Sequence, residues 1–440
     1  MSPSTSSMPD FTGRLVNDGQ YQLTKMLGSG AFGVVYQATQ LATASSSSKS
    51  FKQFAIKVLK KASMSSRDAL HVRREVTLHR IMSDHPNVVT MHHAFEDDDY
   101  VYVVLDYCRG GDLFGKICEE KVYFRNDELV KKVFLQILEA VHACHRKRIF
   151  HRDLKPENVL CNKDGSKIYL SDFGLSTNSQ VSETFGCGSS FYMSPECIGK
   201  EAGFLAYSNR ANDIWALGVI LVNMISCRSP WAKALTSDDC FCDYLLNYDY
   251  LREMLPISEG ANDLLRKIFA YEPMERITIP ELRKAVIELD TFFMTDDEIA
   301  HGGEIVQMAA SYCGLHIEPA ESMVAAKADN QTTMGDIPRS PTSLFEDILA
   351  SPLISATAFV IGSLSDDSCW TSESSSSGDD SAGPVTPSTH GQDPEVVIPE
   401  LNIELGESGE AKPASLKRVV EKAPLRVVNV AVPDALVVEA

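Results

Sequence analysis

Between His151 and Asn158 the chain reads His151-Arg152-Asp153-Leu154-Lys155-Pro156-Glu157-Asn158, and fourteen residues after Asn158 comes Asp172-Phe173-Gly174. Together these residue types can move a charged group onto a hydroxyl. Asp153 offers a carboxylate that orients a hydroxyl and takes its proton. Asn158 and Asp172 offer hard oxygen ligands of the kind that hold Mg2+ against a triphosphate. Lys155 supplies a cation that offsets charge on a phosphoryl group in flight. Two features lie upstream. Gly28-Ser29-Gly30-Ala31-Phe32-Gly33-Val34-Val35 is a G-x-G-x-x-G-x-V run, whose glycines let backbone approach phosphate oxygens without a Cβ in the way. Alone it also fits a hairpin turn or a dinucleotide loop. The dinucleotide loop opens a helix, however, and here the strand-like VVYQAT follows. Lys57, in Ala55-Ile56-Lys57, points at the α- and β-phosphates if a carboxylate holds it, and Glu75 is the natural partner. By themselves that pair would read as a surface lysine and a solvated helix glutamate. Four such elements in this order leave little room for chance.

These groups need a scaffold that sets a glycine turn, a strand lysine and two acidic loops around one cleft. YQLTKML, GVVYQAT, FAIKVL and YVYVVLDY are short β-branched and aromatic runs separated by turn signals, which predict strands. ATASSSSKS, between the second and third, predicts a polar surface loop. SRDALHVRREVTLHRIM predicts a helix with an imperfect stripe of Leu70, Val72, Val76, Leu78 and Ile81, ending at Asp84-His85-Pro86. After Tyr107 the pattern turns helical. Asp127–Arg146 carries Leu129, Val133, Phe134, Ile137, Leu138 and Val141 on one face. Asn212–Ile225 is almost wholly apolar after Asp213, which predicts a helix buried all round. Gly260–Ala270 and Pro280–Leu289 predict further amphipathic helices. The class is therefore α+β: a small antiparallel-sheet lobe, then a larger helical lobe.

The chain has 440 residues, enough for two or three folded units or one large unit with unstructured flanks. Its net charge is −19, and residues 291–440 hold 24 acids and 7 bases, a net of −17. The acidity belongs to the C-terminal third, which argues against binding nucleic acid or an anionic membrane through bulk charge. Residues 361–381 contain nine serines among five acids, too little apolar surface to offset chain entropy. LFEDILA and LKRVVEKAPLRVV are short patches able to dock. The eleven cysteines show no repeated spacing, and Cys240-x-Cys242 has no second pair to complete a zinc site. They read as reduced thiols of an intracellular protein, cytoplasmic or nuclear. The polar start is not a signal peptide, and no run of 18 apolar residues exists. His92-His93 reads as strand or loop filler, Arg146-Lys147-Arg148 as a solvated helix end, and Cys187 as an inert, partly buried thiol.

On these motifs the chain resembles the eukaryotic protein kinases over roughly Tyr21–Asp290. The resemblance implies a two-lobed fold with ATP and Mg2+ in the cleft. It divides the chain into a flexible leader (1–14), an N-lobe (15–107), a C-lobe (108–292) and an acidic, serine-rich, mostly disordered tail (293–440). It implies that Leu27, Gly28, Gly30 and Gly33 cover the nucleotide. The adenine meets the hinge Asp106-Tyr107-Cys108 beside a gatekeeper Leu105, Val35, Ala55 and Leu160 sandwich the base, and Asp112 takes the ribose. Ser194-Pro195-Glu196 stands where the family usually has A-P-E, its Glu196 paired with Arg276. Asp213 braces the catalytic loop. These last three residues are structural.

Lys155, two residues after Asp153, matches the Ser/Thr pattern D-L-K-x-x-N, and Gly188-Ser189-Ser190-Phe191-Tyr192 resembles a Ser/Thr-type platform, with Ser189 near Asp153 and Lys155. GCGSSFYMSPE and NRANDIWALGVILVNMISCRSPW resemble a fungal group of kinases that govern meiosis, nutrient response and growth. The expected partners are proteins carrying Ser or Thr, with regulators on the tail and a monomeric chain. Asp112 and Glu157 at the cleft rim hint at basic substrate side chains, against which Asn223 occupies a position that is acidic in many basophilic relatives. Arg152 predicts charge control of the activation segment, with Thr184 the candidate phosphosite chosen among Ser176, Thr177, Ser179, Ser182 and Thr184, and Glu183 a permanent charge beside it. Two other readings are a pseudokinase scaffold and a small-molecule kinase. The first lacks one of Lys57, Asp153, Asn158 or Asp172, all present here, and the second lacks the combined H-R-D-L-K-P-E-N, S-P-E and Arg276 set.

Overall fold

Strands rich in Val, Ile, Tyr and Phe build a six-stranded antiparallel sheet in the computed structural model, which describes residues 8–30, 33–41, 52–61 and 66–315. Its strands are β1 (Leu15–Val16), β2 (Tyr21–Gly30), β3 (Gly33–Gln40), β4 (Gln53–Lys60), β5 (Met91–Glu96) and β6 (Tyr100–Asp106). The order is β1-β2-β3-β4-β6-β5, and α1 (Ser66–Met82) lies between β4 and β5 in the chain. Directly paired residues share a face, so register decides what looks into the cleft. Gly28 pairs with Val35, Val35 with Lys57, and Lys57 with Val103. Ala55 pairs with Leu105 one step along. One row thus carries the glycine turn and the lysine, and the next row carries the apolar contacts expected around a base.

The second lobe is helical. It comprises α2 (Leu113–Cys118), α3 (Asp127–Arg146), β7 (Val159–Cys161), β8 (Ile168–Leu170), β9 (Val181–Ser182), α4 (Pro195–Ile198), β10 (Tyr207–Ser208) and α5 (Asn209–Ser226). Then come α6 (Asp239–Leu246), α7 (Tyr250–Met254), α8 (Glu259–Ile268), α9 (Ile279–Glu288), α10 (Asp296–Ala300) and α11 (Glu304–Tyr312). Asn126 caps α3 by accepting from Leu129 N–H, and α3 spans the residues its periodicity predicts. Every residue of α5 except Arg210 is buried, which is why it shows no polar face. Hairpin β7–β8 carries the two acidic loops: Asn158 directly precedes β7 and Asp172 follows β8.

Three expectations need correction. In α1, Val76, Leu78 and Met82 are buried, but Leu70 and Ile81 face solvent, so the apolar face is narrower than the stripe suggested. The leader does not run to residue 14. Phe11 is 1% exposed, with ring centroids 5.9 Å from Tyr36 and 4.9 Å from Tyr100. Its N–H donates to Tyr36 Oη, which donates to Asp10 Oδ1. One aromatic in a polar run leaves no periodic signal, yet it buries one of the larger side chains of the lobe.

The tail does not begin at 293. Met294, Ile299, Val306 and Ala310 form a buried cluster, and Cys313 joins the main core. Arg252 pairs with Glu298, and Lys121 Nζ donates to Tyr312 O at 2.6 Å. Helix α10 is too short for a periodic pattern to show, and α11 buries one valine and two alanines, a faint stripe, although Thr295-Asp296-Asp297-Glu298 is a capping box whose hydrogen bonds are made. The polar loop at 42–50 and the tail from 316, with its serine-rich run, LFEDILA, LKRVVEKAPLRVV and proline-directed sites, lie outside the described residues.

Candidate active site

The sheet's cleft face delivers Lys57, and α1 delivers Glu75. Lys57 Nζ lies 2.6 Å from Glu75 Oε1 and 3.1 Å from Asp172 Oδ1. Burial alone would depress the ammonium's pKa, but the two carboxylates outweigh it and Lys57 is held protonated. Burial and the nearby Asp172 push the Glu75 carboxyl up against the pull of Lys57. Asp172 is also desolvated, yet Lys57 brings its pKa below the usual range.

Asp172 has φ +56°, a left-handed conformation in a non-glycine residue, and so does Arg152 at +67°. Such strain persists where surroundings fix it. For Arg152 the fixing group is Asp213 of α5. Its Oδ1 accepts from Arg152 N–H at 2.8 Å, and its Oδ2 accepts from His151 N–H at 2.9 Å and contacts His145 Nε2 at 2.8 Å. Burial would raise this carboxyl, but those donors lower it, so it stays ionised. Phe173 is fully buried between the rings of His79 (4.8 Å) and His151 (5.3 Å). Burial lowers His79 to about 4, so at neutral pH its ring is uncharged and Nε2–H donates to Val89 O at 2.7 Å.

The loop before β7 closes the other side. Asn158 Nδ2 donates to Asp153 O (2.8 Å) and Asp153 Oδ2 (3.1 Å). Lys155 Nζ lies 2.9 Å from Asp153 Oδ2 and donates to Ser189 Oγ at 2.8 Å, while Ser189 Oγ donates to Asp153 Oδ1 at 2.9 Å. The platform reaches this closely because of Gly188. At φ +110°, a Cβ there would stand 2.5 Å from Arg152 O.

The glycine turn has the same character. A Cβ on Gly33 would stand 2.2 Å from Val58 O, whereas positions above Gly28 and Gly30 are open, with nothing within 4 Å. That open face suits a triphosphate lying against backbone. Asn158 and Asp172 bracket hairpin β7–β8, and a carboxylate with an amide oxygen suits Mg2+ that keeps phosphate and water in its other positions. Leu27 is half-exposed above the cleft, and Cys108 at the hinge is pushed up to about 12 by burial and by Asp106. An isolated bridge joins Asp112 to Leu160, so the two residues expected at ribose and base are neighbours. Asp112 also N-caps α2 through Gly115 N–H.

Glu196 and Arg276, eighty residues apart in sequence, form a buried two-pronged ion pair, with Arg276 Nη2 2.8 Å from Glu196 Oε2 and the guanidinium over the Trp215 ring.

Arg152 does not reach Thr184. Its Nη2 lies 3.2 Å from Ser182 Oγ, and Thr184 N–H donates to that same Oγ. Thr184 itself is exposed, with its carbonyl accepting from Tyr207 Oη at 2.8 Å. The segment is held by the β9–β10 pairing and by Phe185, which packs on Met193, Cys197 and Tyr207 and against the Phe204 ring at 5.3 Å. Ser182 is one of the candidate hydroxyls of the segment but not the one the sequence favours, and for Phe185 an aromatic amid polar residues is the one available signal.

Comparison with known proteins agrees with this geometry. The chain is 40% identical over 293 residues to "Negative regulator of sexual conjugation and meiosis" of Schizosaccharomyces pombe, covering 62% of this chain and 61% of that protein. It is 36% identical over 294 residues to "Serine/threonine-protein kinase ksp1" of the same yeast (65% and 60%), and 31% identical over 328 residues to "Serine/threonine-protein kinase VHS1" of Saccharomyces cerevisiae (62% and 70%). The match thus spans about three fifths of each fission-yeast relative's own length. Among the described residues no helix is long and apolar enough to cross a membrane. The family described as "Protein kinase domain" matches residues 21–286, more than half of the chain, and the chain belongs to that family.

Proposed function

We propose that the chain is a protein serine/threonine kinase that transfers the γ-phosphoryl group of Mg-ATP to Ser or Thr hydroxyls of proteins. The observation that carries this reading is the closed set of contacts from Glu75 through Lys57 to Asp172, facing Asp153, Lys155, Asn158 and Ser189. A scaffold that had lost its chemistry would have no need of every member. In this reading Asp153 orients the incoming hydroxyl and takes its proton, and Lys155 balances charge where the group crosses. Lys57, fixed by Glu75, positions the α- and β-phosphates. Asn158 and Asp172 would hold Mg2+, which supplies charge neutralisation on the phosphate oxygens. The test is a peptide-array assay with purified protein: Mg2+-dependent labelling of Ser or Thr is expected, and labelling confined to Tyr or to small molecules would overturn the reading.

Glu157 supports a preference for basic substrate side chains. Its Oε2 is buried without a hydrogen-bond partner, and burial pushes its carboxyl up, so a guanidinium would be well received. Asn223 takes no part, since it is buried and bonded to Tyr192 Oη and Arg228 O. The name of one fission-yeast relative, a negative regulator of sexual conjugation and meiosis, supports a role in fungal signalling that touches meiosis. The acidic tail from 316 fits a regulatory role.

The way the activation segment is held supports phosphate-independent activity. Phosphatase treatment and Thr184→Ala are each expected to change turnover by less than about threefold, whereas Phe185→Ala loses roughly thirtyfold through loss of packing of about 2 kcal/mol. Assays of the phosphatase-treated enzyme against the two variants decide this. Loss of activity on dephosphorylation would restore Thr184 or Ser182 as a switch.

A further inference from the structure

Two thiols meet far from the cleft, where three elements converge. Cys227 is the C-cap of α5 and Cys313 follows the last turn of α11, and both belong to the main core. Cys313 Sγ lies 3.1 Å from Ser226 O, the residue next to Cys227, and Cys227 Sγ lies 3.4 Å from Ile117 O in α2. Cys313 Sγ thus lies against the peptide bond that leads into Cys227.

Three independent features mark the pair. Cys227 sits at φ +53°, ψ +27°, a left-handed cap that glycine or asparagine fills at lower cost. The conformation presents a thiol to Ile117 of α2, beside the end of α11, which glycine would not do. Cations ring the site: Lys121 Nζ reaches Tyr312 O at 2.6 Å and stands 4.7 Å from the Tyr312 ring centroid, and the Arg228 guanidinium lies over the same ring at 4.2 Å. The neighbouring Cys313, with Lys121 and Arg228, lowers the Cys227 thiol against burial, while Cys227 and burial push Cys313 up. The pair therefore has an attacking member and a resolving one.

We propose that Cys227 and Cys313 form an oxidisable dithiol, a modification site for hydrogen peroxide, whose disulfide fastens α11 to the end of α5. The Cys227 thiolate attacks a peroxide oxygen; an S–O bond forms, the O–O bond breaks, and hydroxide leaves, to be protonated to water. Cys313 gives up its proton and attacks the sulfenic sulfur; the S–S bond forms and the S–O bond breaks, releasing the second water. Two thiols lose two electrons and the peroxide gains them. Access comes from the end of α11, where the terminal turn opens most readily. The bond would close the chain between residues 227 and 313, a long loop, and so stabilise the folded lobe.

The test uses the full chain, treated with hydrogen peroxide or dithiothreitol, alkylated and digested without reduction. A Cys227–Cys313 linked peptide is expected only after peroxide, with two fewer titratable thiols and a melting temperature raised by roughly 5–10 °C. Dithiothreitol should reverse all three changes. Cys313→Ser should abolish the link and the shift, and Cys118→Ser should leave both intact. Cys227→Gly removes the thiol while suiting the left-handed cap, so it keeps the fold and should also abolish the shift. Linkage of Cys227 to Cys118 or Cys369, linkage formed only in urea, or no linkage at all would overturn the proposal.

Discussion

Asp172→Ala is expected to lower turnover by roughly 10²–10³-fold or more, with the protein still folded. Asp172 is the one carboxylate after β8 placed both to ligate Mg2+ and to touch Lys57. Its removal leaves Lys57 paired with Glu75 at 2.6 Å, so no buried charge is stranded. Lys57→Met should lose activity to a similar degree but at a higher cost in stability. It strands Glu75, which is 8% exposed, beside Asp172. Breaking a buried pair from one side costs about 3–5 kcal/mol. Single-turnover assays on both variants, with melting curves alongside, separate the two effects. Undiminished transfer in folded Asp172→Ala would remove the metal-ligand role and with it the mechanism proposed above.

The parts of this site that were legible in the sequence are those whose chemistry demands fixed spacing. Asp153, Lys155 and Asn158 lie on one loop, and the loop's geometry ties their spacing to the reaction. Lys57 and Glu75 were legible as a pair because a strand lysine aimed at phosphate requires a partner on the next helix. Contacts across long separations were not legible from spacing. Glu196 and Arg276 meet over eighty residues, and Asp213 reaches back some sixty to His151 and Arg152; only resemblance to a family pointed to them.

The activation segment shows a third situation. Five serines and threonines lie between Gly174 and Gly188, and the one that meets Arg152 depends on how β9 registers with Tyr207 and Ser208, residues outside the segment. No local pattern could choose Ser182 over Thr184. Phe11 and the two last helices were missed for a related reason. Periodicity needs several apolar residues at regular intervals, and a single buried ring or a five-residue helix supplies too few.

Ending the chain at Thr295 is expected to destabilise it by roughly 5 kcal/mol and to yield insoluble or inactive protein, whereas a chain ending at Leu315 should stay soluble and active. The shorter chain loses Ile299, Val306, Ala309 and Ala310, all nearly fully buried. Burying a Val or Ile is worth about 1.5–3 kcal/mol, and the two alanines add less. It also uncovers Met294, strips the carbonyl of Tyr312 from Lys121, and breaks the Arg252–Glu298 and Arg125–Asp296 pairs. The exposed pairs contribute little, so the loss is mainly hydrophobic. A loss of this size is comparable with the whole stability of many domains, which explains why partial truncation should act like unfolding rather than like trimming. Urea melts of the two chains beside the full one measure the difference directly. If the chain ending at Thr295 melts within about 1 kcal/mol of the longer one, α10 and α11 are an appendage and the kinase unit ends near 292 after all.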